Sequence, residues 1–429
     1  MAQRRKALLS LNRMTPEVKP RRRFGAWAGW TAFVLLLLGA PLVLLYLKGA
    51  FLLLRSGRED MDWARKAEQD NSTGHEWAEG VVATGSGFAV AGHTNSRQPG
   101  VNQAWVLQFG HAPPSLWERT YGGPQGAGTL GRAIASMTGG GLIIAGEEEV
   151  GENRFRGWLL ALSPEGNVLW ERTPGHEGVN GFNAVSVLED GSIVAGGDQD
   201  GGGWVVRMSS RGERLWDVRL PQLEHITALV SLPAQRVAVL GTAETSTTGL
   251  GISRLVVLES DGWASWEKRL PAEGQGELAA LALLPDGGLA AAGRLSRPDS
   301  EDESLWVVRM DSQGEPLWEH APEGPRVEAG CAIAVLPDGG IAVAGFSWKE
   351  PLETREAKVW RFAADGRLLW QQTYGSAEDG AGTGIARLTD ESLVVVGSAF
   401  SKGPGKTDLW VFGVSPGGQL LWEETFGAP

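Results

Sequence analysis

Four histidines, two aspartates and one cysteine are the side chains whose chemistry would matter most in this sequence. His75, His93, His176 and His225 could ligate a metal or carry protons, yet their separations match no local metal-binding spacing. Asp198 and Asp200 in "GGDQDGGGW" resemble the opening of a calcium loop but lack its later ligands, so an acidic turn accounts for them. Cys331 is the only cysteine, which excludes an internal disulfide, a cysteine-rich metal site and a CxxC redox pair. Within "AGCAIAVLPDGG" it reads as a small buried strand residue. Gly126, Gly128 and Gly131 satisfy GxGxxG, but no strand-helix-strand unit surrounds them, and the same loop position reads "GAGTG" at 380–384. No GxSxG or HExxH motif is present. These readings assign no catalytic, cofactor or metal residue and no enzymatic activity.

The elements that would position any such residue are set by a repeat. "SLWERTY", "VLWERTP", "RLWDVRL", "ASWEKRL", "PLWEHAP", "LLWQQTY" and "LLWEETF" place Trp117, Trp170, Trp216, Trp266, Trp318, Trp370 and Trp422 at spacings of 46 to 53 residues, giving seven copies. Each copy holds four short apolar runs bounded by Gly, Pro and Asp, clearest in "CAIAVLPDGGIAVAGFSWKEPLETREAKVWRFAADGRLLW", and these are strands. The second run ends on Gly92, Gly146, Gly196, Gly241, Gly293, Gly345 or Gly397. A further glycine stands four residues before the tryptophan in six copies, where a tight hairpin turn favours positive φ; the first copy has Pro113 there, and its hairpin is expected to be irregular. Seven four-stranded units predict an all-β fold, a seven-bladed β-propeller over residues 75–429. A second set, Trp105, Trp158, Trp204, Trp306 and Trp410, lies twelve residues before its partner on the third strand, with Arg254 and Lys358 replacing it in two copies. Both sets are expected to fill the wedges between blades. The acid after the anchor tryptophan (Glu118, Glu171, Asp217, Glu267, Glu319, Glu423) suits an outermost edge strand.

The N-terminus is of another kind. Residues 24–47, "FGAWAGWTAFVLLLLGAPLVLLYL", contain no charge and make a helix of about 36 Å, enough to cross a hydrocarbon core of about 30 Å. A basic tail over 1–23 precedes it, so the positive-inside rule predicts a cytoplasmic N-terminus, a single-pass anchor in a bacterial inner membrane and an extracytoplasmic propeller. A linker over 48–74 follows, in which 61–67, around Trp63, has the spacing of an extra fourth-type strand near the ring's seam. Residues after 55 carry 29 basic against 50 acidic side chains, which argues against nucleic acid or an anionic lipid surface as partner.

The pattern "W-h-h-x-h-x-x-x-G-x-h-h-W-x-x-T-h-G-G", with h apolar, is carried here by "WVVRMDSQGEPLW", "LLWQQTYG" and "SLWERTYGG" over about residues 75–427. It resembles the extracytoplasmic Trp-docking repeats of quinoprotein-like, or PQQ-like, propellers. The resemblance implies a propeller linked by docking tryptophans. The enzymes of that group hold pyrroloquinoline quinone over a vicinal disulfide, which one cysteine cannot form, so dehydrogenase activity is not carried over. A periplasmic lipoprotein that scaffolds outer-membrane protein assembly shares the fold, but no lipidation cysteine follows the span here.

Function is expected on one face. The first-to-second and third-to-fourth turns are short, whereas the second-to-third and blade-to-blade connections are long and varied, and in a four-stranded meander the long ones emerge together. Among these, Phe346 and Trp348 in "FSWKEPLETREA" are the candidates for contact with other membrane or periplasmic proteins. The sequence thus suggests a scaffold or accessory subunit. Its alternative is a propeller that binds a small molecule, glycan or metal at the loop-rich mouth of the channel.

Overall fold

A computed structural model of the chain describes residues 74–97, 101–122, 126–151, 154–175, 180–243, 251–270, 275–296, 303–322, 327–349, 354–375, 380–400 and 407–427. The tail at 1–23, the span at 24–47, the linker up to residue 73 and the strand expected at 61–67 lie outside them. Among the described residues no helix is long and apolar enough to cross a membrane.

Those residues form 28 strands that pair antiparallel in consecutive groups of four, numbered here sheets 1 to 7. Sheet 6 shows the plan: Glu328–Val335, Ile341–Lys349, Thr354–Phe362 and Leu368–Tyr374 pair in chain order. Sheets 4 and 5 are also joined by one parallel bridge between Ile252 and Gly276. First strands touch first strands around a closed cycle in which Glu76–Thr84 meets both Thr129–Ser136 and Gly380–Arg387. They therefore line the axis, and the architecture is propeller-like.

Apolar side chains pack between sheets. Each of the large clusters draws on two consecutive sheets, and one joins Phe88, Trp105 and Leu107 of sheet 1 to Val394, Leu409 and Val411 of sheet 7. The third-strand tryptophans Trp105, Trp158, Trp204, Trp306 and Trp410 are buried on the side of the preceding sheet. The acid after the anchor has a second task beyond guarding an edge. Glu171, Asp217 and Glu319 accept the indole N–H of Trp158, Trp204 and Trp306 at 2.6, 3.4 and 2.6 Å. Where the tryptophan is replaced by Arg254, Glu267 pairs with the guanidinium; where it is replaced by Lys358, the acid has become Gln371 and the lysine pairs with Glu328 at 2.6 Å.

The anchor tryptophans reach forward. Trp117, Trp170, Trp216, Trp318 and Trp370 donate their indole N–H to a carbonyl in the third-to-fourth turn of the next sheet, at 3.0 to 3.1 Å. Their rings, and that of Trp266, lie on the turn glycine, where an added Cβ would stand 2.8 to 3.2 Å from ring carbon. Gly166, Gly212, Gly262, Gly314, Gly366 and Gly418 thus satisfy positive φ and close approach at once. On the same short-turn face, Arg207 and Arg309 pair with the turn aspartates Asp190 and Asp286 and donate to Ser260 and Ala364 carbonyls of the following sheet.

The seam between sheets 7 and 1 differs. Pro113 stands in place of the glycine in an irregular turn with a cis Pro113–Pro114 bond, and Trp422 packs instead on Phe88 at 6.0 Å between ring centroids. Phe109 meets Phe426 edge-on at 5.4 Å, and His75 bridges to Thr407. Each sheet comes from one continuous stretch of chain, so packing closes the ring without strand exchange among the described residues.

Replacing Trp158 by Ala should cost about 3–5 kcal/mol of unfolding free energy, and Glu171→Ala, which strands the buried indole N–H, about 1–3 kcal/mol, both measured by denaturant titration.

Candidate functional site at the channel mouth

The axis-lining strands share one irregularity. In every sheet the first strand carries a β-bulge, and the extra residue is Glu79, Arg132, Asn183, Thr227, Ala279, Cys331 or Thr383. Each bulge drives a carbonyl over the second strand, where a Cβ would lie 1.8 to 2.3 Å from that oxygen, so only glycine fits at Gly92, Gly146, Gly197, Gly241, Gly293, Gly345 and Gly397. In sheet 3 the residue under the carbonyl is Gly197, one beyond the Gly196 expected from the end of the apolar run. The residue after each bulge is always Gly or Ala. Gly80 shows why: a Cβ there would stand 3.3 Å from Ile134 of the next sheet.

Bulge side chains are all at least partly exposed, and several tie one sheet to the next. Asn183 donates to the Ile226 carbonyl at 3.1 Å, Thr227 to Leu278 at 2.9 Å, and Thr383, across the seam, to Ala78 at 2.7 Å.

Toward the face with long connections, the mouth divides into sectors. Arg132 lies 3.3 Å from Glu79 and 2.8 Å from Glu147; Arg294 lies 3.1 Å from both Glu277 and Glu303. Between these pairs, Asp198 holds the His225 Nδ1 at 2.9 Å, accepts the Ile226 N–H at 3.0 Å and has the Asn183 amide at 3.4 Å. The imidazole is thus oriented by a carboxylate, with 55% of its side chain exposed. The opposite sector is apolar and aromatic: Phe346 and Ala329 of sheet 6 pack with Ala381 of sheet 7, beside Cys331 and Trp348.

Sequence-predicted residues are thus only partly brought together. His75 and His93 sandwich Trp77, with ring centroids 5.3 and 4.6 Å away, whereas His225 stands in sheet 4 and His176 lies outside the described residues. Asp198 and Asp200 do not converge, since Asp198 serves His225 and Asp200 lies 3.8 Å from Arg219. Among the described residues no group of three or more His, Cys, Asp or Glu could hold a metal ion. Cys331, expected as a buried strand residue, is a half-buried bulge residue. Phe346 is corrected more sharply. It belongs to a strand and is buried at 6% exposure, so it offers no contact face; Trp348 is half-buried on the same strand, with the Arg355 guanidinium about 6 Å from both rings. Gly128 precedes and Gly131 lies within the first strand Thr129–Ser136, where a Cβ would stand 2.9 Å from the Glu149 carboxylate and from the Gly92 carbonyl, respectively.

A family model described as outer membrane protein assembly factor BamB matches residues 201–429. The chain belongs to this family. No curated protein matches it. Among solved structures, this BamB-family chain is similar to the β-propeller domain of the Trilobed protease from Pyrococcus furiosus, described as having an open velcro topology: 12% identity, TM-score 0.50, covering 82% of this chain and 95% of that one. It is also similar to the Pan2 WD40 domain of Neurospora crassa, at 12% identity and TM-score 0.49, covering 81% and 97%. At this identity the Pyrococcus likeness shows the fold alone.

Two measurements follow. Gly345→Ala places a Cβ 1.9 Å from the Ala329 carbonyl and should cost more than about 2 kcal/mol, whereas Gly85→Ala, with nothing within 4 Å, should stay within about 0.5 kcal/mol. His93 is held well below its ordinary value of 6.5, first by burial and then by Arg132. The unfolded chain therefore binds this proton more readily, so its contribution is complete above pH 6.5 and is lost as pH falls. Melting temperature should drop below pH 6.5, and His93→Gln should flatten that slope.

Proposed function

We propose that this chain is a membrane-anchored, extracytoplasmic seven-bladed propeller that serves as a protein-binding scaffold or accessory subunit of a larger membrane complex. The carrying observation is membership of a family whose description is that of an assembly factor. The uncharged stretch at 24–47 behind a basic tail supports the anchor and the orientation. Around the mouth, Arg132 and Arg294 are each matched by two carboxylates of the same protein, an arrangement that supports a stiff, prearranged docking surface. Trp348, half-buried with Arg355 beside it, supplies the aromatic element such surfaces favour.

One observation favours a second reading, a small-molecule, glycan or metal-binding propeller with enzymatic capacity at the mouth. His225, oriented by Asp198 and exposed toward the long-connection face, has the arrangement of a general base.

Affinity purification of the full-length protein in mild detergent separates the two. The scaffold reading expects a partner in fixed stoichiometry, with Trp348→Ala lowering its recovery about tenfold or more. Recovery of a lone monomer would sink it.

A further inference from the structure

At two junctions a contact links the second residue after the anchor tryptophan to the first residue after the turn glycine of the next sheet. Between sheets 1 and 2 these are Arg119 and Asn167, hydrogen-bonded at 2.9 Å, with Arg119 also over the Trp117 ring. Between sheets 4 and 5 they are Lys268 and Glu315, an ion pair, with Lys268 over Trp266. In both, a long cation bridges the junction and covers the indole.

Between sheets 6 and 7 the same positions hold Gln372 and Gln419. Neither amide bridges the gap in the way those cations do: Gln372 Nε2 reaches its own Thr373 carbonyl at 3.5 Å. A groove of about 660 Å³ lies here, bounded by Gln372, Thr373 and Tyr374 on one wall and by Gln419, Leu420 and Glu423 on the other. Its floor is fixed where the Tyr374 hydroxyl donates to the Gly418 carbonyl at 2.8 Å.

We propose that this groove binds a neutral oligosaccharide. The lining chemistry selects the class. Two side-chain amides both donate and accept, the Thr373 hydroxyl does the same, and Glu423 accepts, a set that matches vicinal hydroxyls able to act in either sense. No Lys, Arg or His lines the groove, so an anion finds no counter-charge. An extended peptide would need pockets for alternate apolar side chains, and Leu420 is the one large aliphatic side chain in the lining. This site is on the rim, separate from the channel mouth, and stands whether or not the mouth docks a protein.

The test uses the full-length chain in a zwitterionic detergent that carries no sugar headgroup. Neutral tetrasaccharides of glucose and of N-acetylglucosamine are titrated by calorimetry, with saturation-transfer NMR to map the contacted protons. At least one should saturate below about 1 mM. The double variant Gln372→Lys with Gln419→Glu, which copies the Lys268 and Glu315 pair and is thus compatible with the fold, should weaken binding about tenfold or more at an unchanged melting temperature. Gln419→Ala should weaken it several-fold. The proposal is overturned if neither saccharide saturates, if the double variant binds as well as the parent, or if a Gly/Ser-rich peptide binds more tightly than either sugar.

Discussion

An indole can lie flat on a turn only if the turn carries no side chain at the point of contact, and this condition organises the whole ring. At six junctions it is met by a glycine whose left-handed backbone also closes the hairpin, so one residue serves the turn and the neighbour together. The tryptophan that uses the platform is held in turn by the strand before it, whose own buried residue is paired to the acid next to the anchor in several copies. Local hairpin chemistry and long-range assembly are thereby written in the same few residues. A change at the glycine would disturb both sheets at once.

The seventh junction shows what happens when the platform is missing. With Pro113 in the turn, Trp422 has no turn glycine of the next sheet to rest on and its ring lies over Gly413 of its own sheet, and the closing contact is rebuilt from Phe88, Phe109 and Phe426 together with the Thr383 hydrogen bond to Ala78. That bond joins residues 305 apart, whereas pairing within a sheet spans only neighbouring runs. The entropic cost of closing the ring is therefore concentrated in one apolar seam. Sheets 2 to 6 need only their predecessors.

The parts of this design that were readable from the chain are those whose signal is local. Trp spacing, the glycine four residues before it and the four-run texture all lie within a single copy, and the irregular first hairpin was visible in Pro113 alone. The mouth was not readable in the same way. A bulge is defined by two strands pairing with unequal residue counts, so an apolar run that ends on Gly196 does not reveal that the glycine under the bulge carbonyl is Gly197. Phe346 looked like a loop residue because charge surrounds it, but the second strand of sheet 6 extends through Lys349 and carries it inward. The pairing of third-strand tryptophan with acid could have been found by comparing copies, since both members change together at Lys358 and Gln371.

Seven bulges at one level have a consequence for how such a protein can change over time. On either side of each extra residue the choice is narrow, glycine across the strand and a small residue after it, while the extra residue itself reads Glu, Arg, Asn, Thr, Ala, Cys and Thr around the ring. The backbone kink is set by its neighbours, and the side chain at its apex differs in kind from sheet to sheet, with Asn183, Thr227 and Thr383 each bonded to the next sheet. The channel is thus a short combinatorial word, one letter per sheet, in which some letters also join the sheets.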